Sequence, residues 1–584
     1  MNRFLHYLLE KEWKIPREEK ISNAIRNFSL FERVLLYCFV AVFIISGLAL
    51  LNQVSNGVSV EIPTYGGTLT EGVVGVPRFI NPLLATGDTD RDLVSLIYSG
   101  LLKGTPDGTL APDLAESYSI SPDGLVYTFT LKKDLTFQDG SPVTSDDVVF
   151  TIQKAQSSTL KSPKRANWDG VKVEKTNDNT ITLTLKQAYA PFLENATLGI
   201  LPKHIWKDTT DEAFPFNTDT VNPIGSGPYK IDSIEKDKTG TPISYTLSAF
   251  EKYAGGEAYI SKIIFTFYQN EDDLLSAYKS NEIESVNTIS PEKVGDLKSL
   301  AGIVETNPLP RIFGVFFNQN EAPIFAEKEV RMALNMATDK DKIVNDVLLG
   351  FGKTIDGPIP PGTIQNAIST STQNTNTGDV DKANALLESA GWKINPDTHI
   401  REKQNKKNMQ VLSFSLATSN TPELKKTAEL LKEEWGKIGA HVDIKVYEPG
   451  DLSQEVIRPR KYDALLFGEI VGRDLDLFAF WHSSQRNDPG LNIALYTNVK
   501  ADKILEQLRT LSDENQKIDL YKQFEGELAK DTPAIFLYAP DFIYIIPQKV
   551  RGFSMGEVTT PSERFLTVSK WYINTDKVWK IFVK

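Results

Sequence analysis

The chain has 584 residues, 41% hydrophobic and 24% charged, with a formal net charge of −12 and a single cysteine, Cys38. That length exceeds what one hydrophobic core organises, so two or more domains are expected. The acidic balance excludes a general nucleic-acid binder, which needs clustered positive charge, and one cysteine excludes an intramolecular disulfide framework or a cysteine-rich metal site.

Residues 1–33 mix apolar and basic side chains, including Arg3, Lys11, Lys14, Arg17, Lys20, Arg26 and Arg33. They read as a cytoplasmic segment suited to an amphipathic helix on the inner leaflet. Residues 34–51, from Val34 to Leu51, are an uncharged apolar run. At about 1.5 Å per residue such a run covers most of a bilayer core, which predicts a single-pass transmembrane anchor. No Lys or Arg follows until Arg78, so the positive-inside rule places the N-terminus in the cytoplasm and the remainder outside the cytoplasmic membrane, in a periplasm or at the cell surface. Two readings compete with a retained anchor: cleavage at the small-x-small site Gly47-Leu48-Ala49, and lipidation of Cys38. The long n-region argues against the first, and bulky Tyr37 before the cysteine argues against the second. Residues 52–65 are polar and contain Gly and Ser, which suits a linker.

The most informative stretch runs from Ala111 to Ile152. Ser121-Pro122-Asp123-Gly124 is turn chemistry: proline presets φ, aspartate bonds nearby backbone, and glycine accepts positive φ. Tyr127, Phe129 and Leu131 alternate with Thr128 and Thr130, the pattern of a strand with one buried face. After a second turn at Gln138-Asp139-Gly140, Thr144 is placed as an N-cap, with Asp146 and Asp147 at the positive end of the helix dipole. A hairpin followed by a helix is predicted. Farther on, Thr421 and Pro422 open a helix in which Leu424, Ala428, Leu431, Trp435 and Ile438 keep helical spacing and Gly439 is the stop. Val442, Ile444 and Val446 then alternate as a strand, and Asp463 to Phe467 reads as a buried one. The class is α/β.

Catalytic chemistry is sparse. The histidines are His6, His204, His399, His441 and His482, and none forms a close ligand pair. No nucleophile elbow, phosphate loop or dinucleotide fingerprint occurs. Asp88-Thr89-Asp90-Arg91-Asp92 begins like a calcium loop, but Leu93 holds the required glycine position and Ser99 the bidentate glutamate position. Asp474 and Asp476 would have to converge to act as a hydrolase pair, and i, i+2 side chains on a strand point apart. No metal, cofactor or catalytic residue is therefore expected.

The string around Pro112, Leu114, Ala115, Asp139, Gly140, Pro142, Thr144, Asp147, Val148 and Phe150 resembles the signature of family 5 solute-binding proteins of ABC importers. Tyr118 stands where that signature has tryptophan and Gln138 where it has histidine. Other stretches agree: Gly66-Gly67-Thr68-Leu69, Asn81-Pro82-Leu83-Leu84-Ala85-Thr86, Asn222 to Tyr229, Val330 to Lys340, Leu386 to Trp392 and Asp531 to Tyr538. The resemblance spans about Gly66 to Tyr538.

It implies a two-lobed periplasmic-binding-protein type II fold. Residues 66–309 would form the first part of lobe I, 310–536 lobe II, and 537–584 the return to lobe I and a C-terminal segment. Crossings between lobes are placed near Pro310–Asn318 and Ala534–Ile546. The implied function is capture of a solute, oligopeptides first, by lobe closure and delivery to an ABC permease with its ATPase, the binding protein acting as a monomer. Another solute (a nickel chelate, an opine or an oligosaccharide) and a surface sensor without transport are the alternatives, with an anchored hydrolase more remote. The resemblance also points to cleft residues. Arg78, Phe79 and Asn81 lie in a lobe I loop, and Asn318 ends the first crossing. Glu469, Arg473, Asp474, Asp476, Trp481 and His482 fall within Gly468–Arg486. In peptide binders an aspartate in that stretch pairs with the ligand ammonium; here Gly472 takes its place.

Overall fold

The structure is a computed structural model that describes residues 25–287, 289–297, 302–361, 378–405, 408–473, 475–511 and 513–582. Its compact units are two. One joins the N-terminal residues up to Thr64 to those from Asn574 onward, and the other is Tyr65–Ile573.

In the first unit, a helix runs over Leu30–Val58. Its stretch Leu30–Leu50 has a mean hydropathy of 2.3, long and apolar enough to cross a membrane. The strand Ser59–Thr64 follows directly and pairs antiparallel with Asn574–Trp579, from Ser59 opposite Trp579 to Thr64 opposite Asn574. The expected linker at 52–65 is thus corrected: it is the end of a helix and a paired strand. Val60, Ile62 and Thr64 favour extended backbone, but the partner strand lies more than 500 residues away, so local composition suggested a flexible tether.

In the second unit, a twelve-stranded sheet is built around the strand Ala534–Pro547. Its first half pairs with Arg311–Phe317, which continues through Ala464–Ile470 and Ser413–Ser419 to His441–Tyr447. Its second half pairs with Gly302–Pro308 and Ser285–Asn287, leading to Thr68–Val74 and Lys262–Tyr268. Two segments therefore carry the chain between halves, and each has a proline at the change of partner, Pro310 and Pro540. Leu309 N–H donates to Pro540 O at 3.1 Å. The halves have separate cores. The first half has one around Leu69, Phe129, Trp206, Tyr245 and Trp571 and a smaller one around Leu274, Val286 and Ile543; those of the second half, around Leu416 and Trp435 and around Phe316 and Trp481, lie on its opposite faces.

The 111–152 stretch builds scaffold. Ala115–Ile120 and Val126–Leu131 form the hairpin, with Gly124 at φ +69° in its turn and Tyr127, Phe129 and Leu131 buried. The helix Ser145–Gln156 starts at Thr144, whose N–H donates to Asp147 Oδ2 at 2.8 Å, while Asp147 Oδ1 accepts from Lys203 N–H. Gln138 ties three segments: its Nε2 donates to Ile97 O and Tyr229 O, and its Oε1 accepts from Gly225 N–H. The predicted later helix spans Pro422–Gly436, with Leu424, Ala428, Leu431 and Trp435 buried.

The first core holds a fully buried charge cluster. Arg564 donates to Asp92 Oδ1 and Oδ2 at 2.8 and 2.6 Å and to Glu71 Oε1 at 2.9 Å. Tyr544 hydroxyl and Ser285 also donate to Glu71, and Asn287 to Asp92. Burial pushes Asp92 up to about 6 despite Arg564. The stretch that began like a calcium loop is accordingly the helix Asp88–Ile97, with Asp92 spent on Arg564.

Candidate functional site

A cavity of about 480 Å³ lies between the two halves of the second unit. The first half supplies the helix Asp88–Ile97, the turn Ala190–Thr197 and the segment Thr559–Ser569; the second supplies Arg311, Ile470 and Arg473. Tyr98, Trp168, Tyr253 and Phe565 give aromatic wall. That combination of size, aromatic lining and a few polar groups suits a small-ligand site.

Charge is concentrated here. Arg91, Lys103, Lys164, Arg311 and Arg473 face the cavity together with Asp113, Glu194 and Glu563, so basic groups outnumber acidic ones by two. Arg473 bridges the halves: its Nη2 is 2.8 Å from Glu563 Oε2 and its Nε 3.1 Å from Glu194 Oε1. Burial opposes its charge, but the two glutamates hold its pKa above the usual arginine value. A side chain at Gly104 would bring a Cβ within 2.8 Å of Arg473 Nη2, which explains a glycine there. Burial raises the Glu194 carboxyl, countered by Arg473 and reinforced by Glu563. Burial lowers Lys164 and Arg311, and Arg91 adds repulsion to both. Glu194 Oε2, Arg311 Nε and Arg473 Nη1 are buried and make no hydrogen bond. Buried polar atoms are rarely left so; three around one cavity mark where a charged ligand would fit.

Of the candidate cleft residues that the structure describes, only Arg473 lines this cavity. Arg78 is exposed, and the backbone N–H groups of Arg78 and Phe79 donate to Asp90 Oδ1, which fixes their loop. Asn81 is buried and receives Leu83 N–H; its neighbour Pro82 reaches the cavity instead. Asn318 is buried in a turn, donating to Arg460 O and receiving Asn320 N–H. Trp481 packs in the core against Phe316 and Phe536. His482 stacks on Phe478 and pairs with Ser484. Asp476 accepts from Arg509 Nε and Nη2, at 3.0 and 2.5 Å, and from the Tyr189 hydroxyl of the opposite half at 3.0 Å. It is a second bridge between halves, outside the main cavity. Asp474 lies outside the described residues. The resemblance placed these stretches near the cleft without saying which way each side chain points.

Glu469 shows this most clearly. It sits on the strand Ala464–Ile470, where Ile470 faces the cavity, so by strand alternation Glu469 points the other way. It is buried, neither carboxyl oxygen has a partner, and burial holds its pKa well above 4.5. A raised folded-state pKa means that stability falls as pH rises above the unfolded value of 4.5. Glu469→Gln is therefore expected to flatten that slope and to stabilise the protein at pH 8 by about 1–3 kcal/mol. Urea unfolding at pH 5 and pH 8 checks this, and a slope unchanged by the substitution would contradict it.

Sequence reasoning missed Arg91, Lys164, Glu194, Arg311 and Glu563. Arg311 opens the first crossing, the nearest signal available. The others come from four separate segments with no shared motif.

The profile of the bacterial extracellular solute-binding proteins, family 5, matches residues 109–489. The chain belongs to this family. The oligopeptide-binding protein AppA of Bacillus subtilis is 29% identical over 522 residues, 88% of this chain and 92% of that protein. Its structure in complex with a nonapeptide has a TM-score of 0.69 and 28% identity, covering 88% of this chain and all of that one. NikZ from Campylobacter jejuni, in complex with Ni(L-His), has a TM-score of 0.68 and 26% identity, covering 86% and 99%. Family 5 membership makes this chain a solute-binding protein of the two-lobed type II periplasmic-binding fold, not an enzyme.

Proposed function

We propose that this family 5 protein captures short peptides in the 480 Å³ cavity and releases them to an ABC permease. The observation that carries the reading is the trio of unpaired buried ionic atoms of opposite sign, Glu194 Oε2, Arg311 Nε and Arg473 Nη1. A zwitterionic peptide offers a partner to either sign: its ammonium to Glu194, its carboxylate to Arg311 with Arg91 and Lys164 beside it. The peptide binders among its relatives support the same class. Lobes 66–309 with 540–573, and 310–539, would close on the ligand through the Arg473 and Asp476 bridges, bending at Leu309–Pro310 and Ala539–Asp541. The helix Leu30–Val58 would stay as a membrane anchor with the binding unit outside, the protein acting as a monomer.

Calorimetry with free-acid peptides of two to five residues tests this. Saturation at a hundredfold excess over Kd should stabilise the protein by about 2.7 kcal/mol. Amidating the peptide C-terminus should cost about 1.5–3 kcal/mol, and the same amidation should cost almost nothing in Arg311→Met. If no peptide pool stabilises the protein, the peptide reading falls. If acid and amide bind alike, only the carboxylate assignment falls.

A further inference from the structure

The chain's last described residues present an unexplained apolar surface. Trp579 and Phe582 are 51% and 70% exposed, and their rings stack at 6.4 Å. They belong to the same compact unit as the helix Leu30–Val58. The strand Asn574–Trp579 runs antiparallel to Ser59–Thr64 and ends with Trp579 opposite Ser59, the first residue after the helix. The chain is thus travelling back toward the helix end when it reaches Trp579, and it continues as the turn Lys580–Phe582.

Helix geometry gives the depth. Leu30–Leu50 spans about 31 Å at 1.5 Å per residue, close to the thickness of a bilayer's hydrocarbon core. The eight residues 51–58 add about 12 Å, which carries the helix end just past a headgroup layer roughly 5–8 Å thick. Trp579, opposite Ser59, sits at that height, and Phe582 lies three residues on with its ring stacked on Trp579. Tryptophan, a second ring and a lysine are the residues that favour the membrane–water interface.

We propose that the turn Trp579–Phe582 is a second membrane contact, seated at the outer edge of the headgroup layer beside the anchor helix. It would hold the strand Asn574–Trp579, as well as the helix Leu30–Val58, at the bilayer. This rests on the reading that the helix is retained as an anchor.

A nitroxide at position 580, introduced by Lys580→Cys with Cys38→Ser, leaves both rings in place. The protein is reconstituted in nanodiscs of phosphatidylethanolamine and phosphatidylglycerol, with a label at Phe216→Cys, in the binding unit, as the aqueous reference. The label at 580 should be severalfold less accessible to a water-soluble nickel reagent and more accessible to oxygen than the reference. Adding Trp579→Ser and Phe582→Ser should return it to the aqueous value. Equal accessibility at both positions, with the protein firmly in the disc, overturns this proposal alone. Shielding that depends on protein concentration assigns the rings to a second copy and also overturns it. A protein that does not stay with the bilayer overturns the anchor reading, and this proposal with it.

Discussion

Arg564→Met is expected to destabilise the protein by about 3–5 kcal/mol, the cost of breaking a buried ion pair on one side. The substitution keeps side-chain volume but leaves Glu71 and Asp92, both fully buried, facing each other without their cation. The damage should be local to the first core, because Arg564 packs on Phe565 and Tyr544, which belong to it. Urea unfolding followed by tryptophan fluorescence would show the transition of that half moving to lower urea. Adding Glu71→Gln and Asp92→Asn to Arg564→Met should recover more than half of the loss, since no uncompensated charge then remains. A single substitution costing under about 1 kcal/mol would show that the cluster is not the closed ionic system described here.

Arg473→Met should weaken peptide binding by about 2–5 kcal/mol, on the order of thirtyfold to several thousandfold in Kd. Two effects add. The substitution removes the ionic bridge that joins the halves across the cavity, and it leaves Glu194 and Glu563 repelling each other in the wall. Titration calorimetry reads the loss directly. Asp476→Asn, which weakens the bridge from Arg509 to Tyr189 outside the cavity, should cost less and should not alter the preference for a free carboxylate. Unchanged affinity in Arg473→Met would remove Arg473 from the binding site.

The scaffold was largely legible because its signals are local. The turn at Gly124, the cap at Thr144 and the stripe from Leu424 to Trp435 each depend on residues within one or two turns of chain. The strand Ser59–Thr64 was not legible, since its partner comes from the far end of the sequence. The cavity was hardly legible for a related reason. Arg91, Lys164, Glu194, Arg311 and Glu563 meet only after five segments assemble, and a single charged residue in any one of them looks like ordinary surface. Glu469 and Trp481 show a different limit: the resemblance placed their stretch near the cleft, but the strand turns Glu469 away from the cavity and the short helix Phe478–Trp481 packs Trp481 against Phe316 and Phe536.

The Arg564 cluster also sets a schedule for synthesis. Asp92 waits 472 residues for Arg564, and Glu71 waits 493. At roughly 5–20 residues per second, that is on the order of half a minute to a minute and a half. Until then the first core has two acids to bury and no cation to bury with them. The inserted half, from Arg311 to Ala539, has its own cores, which the strand residues Ala534 to Ala539 complete before Arg564 is made. The first-made half is therefore the last to be finished.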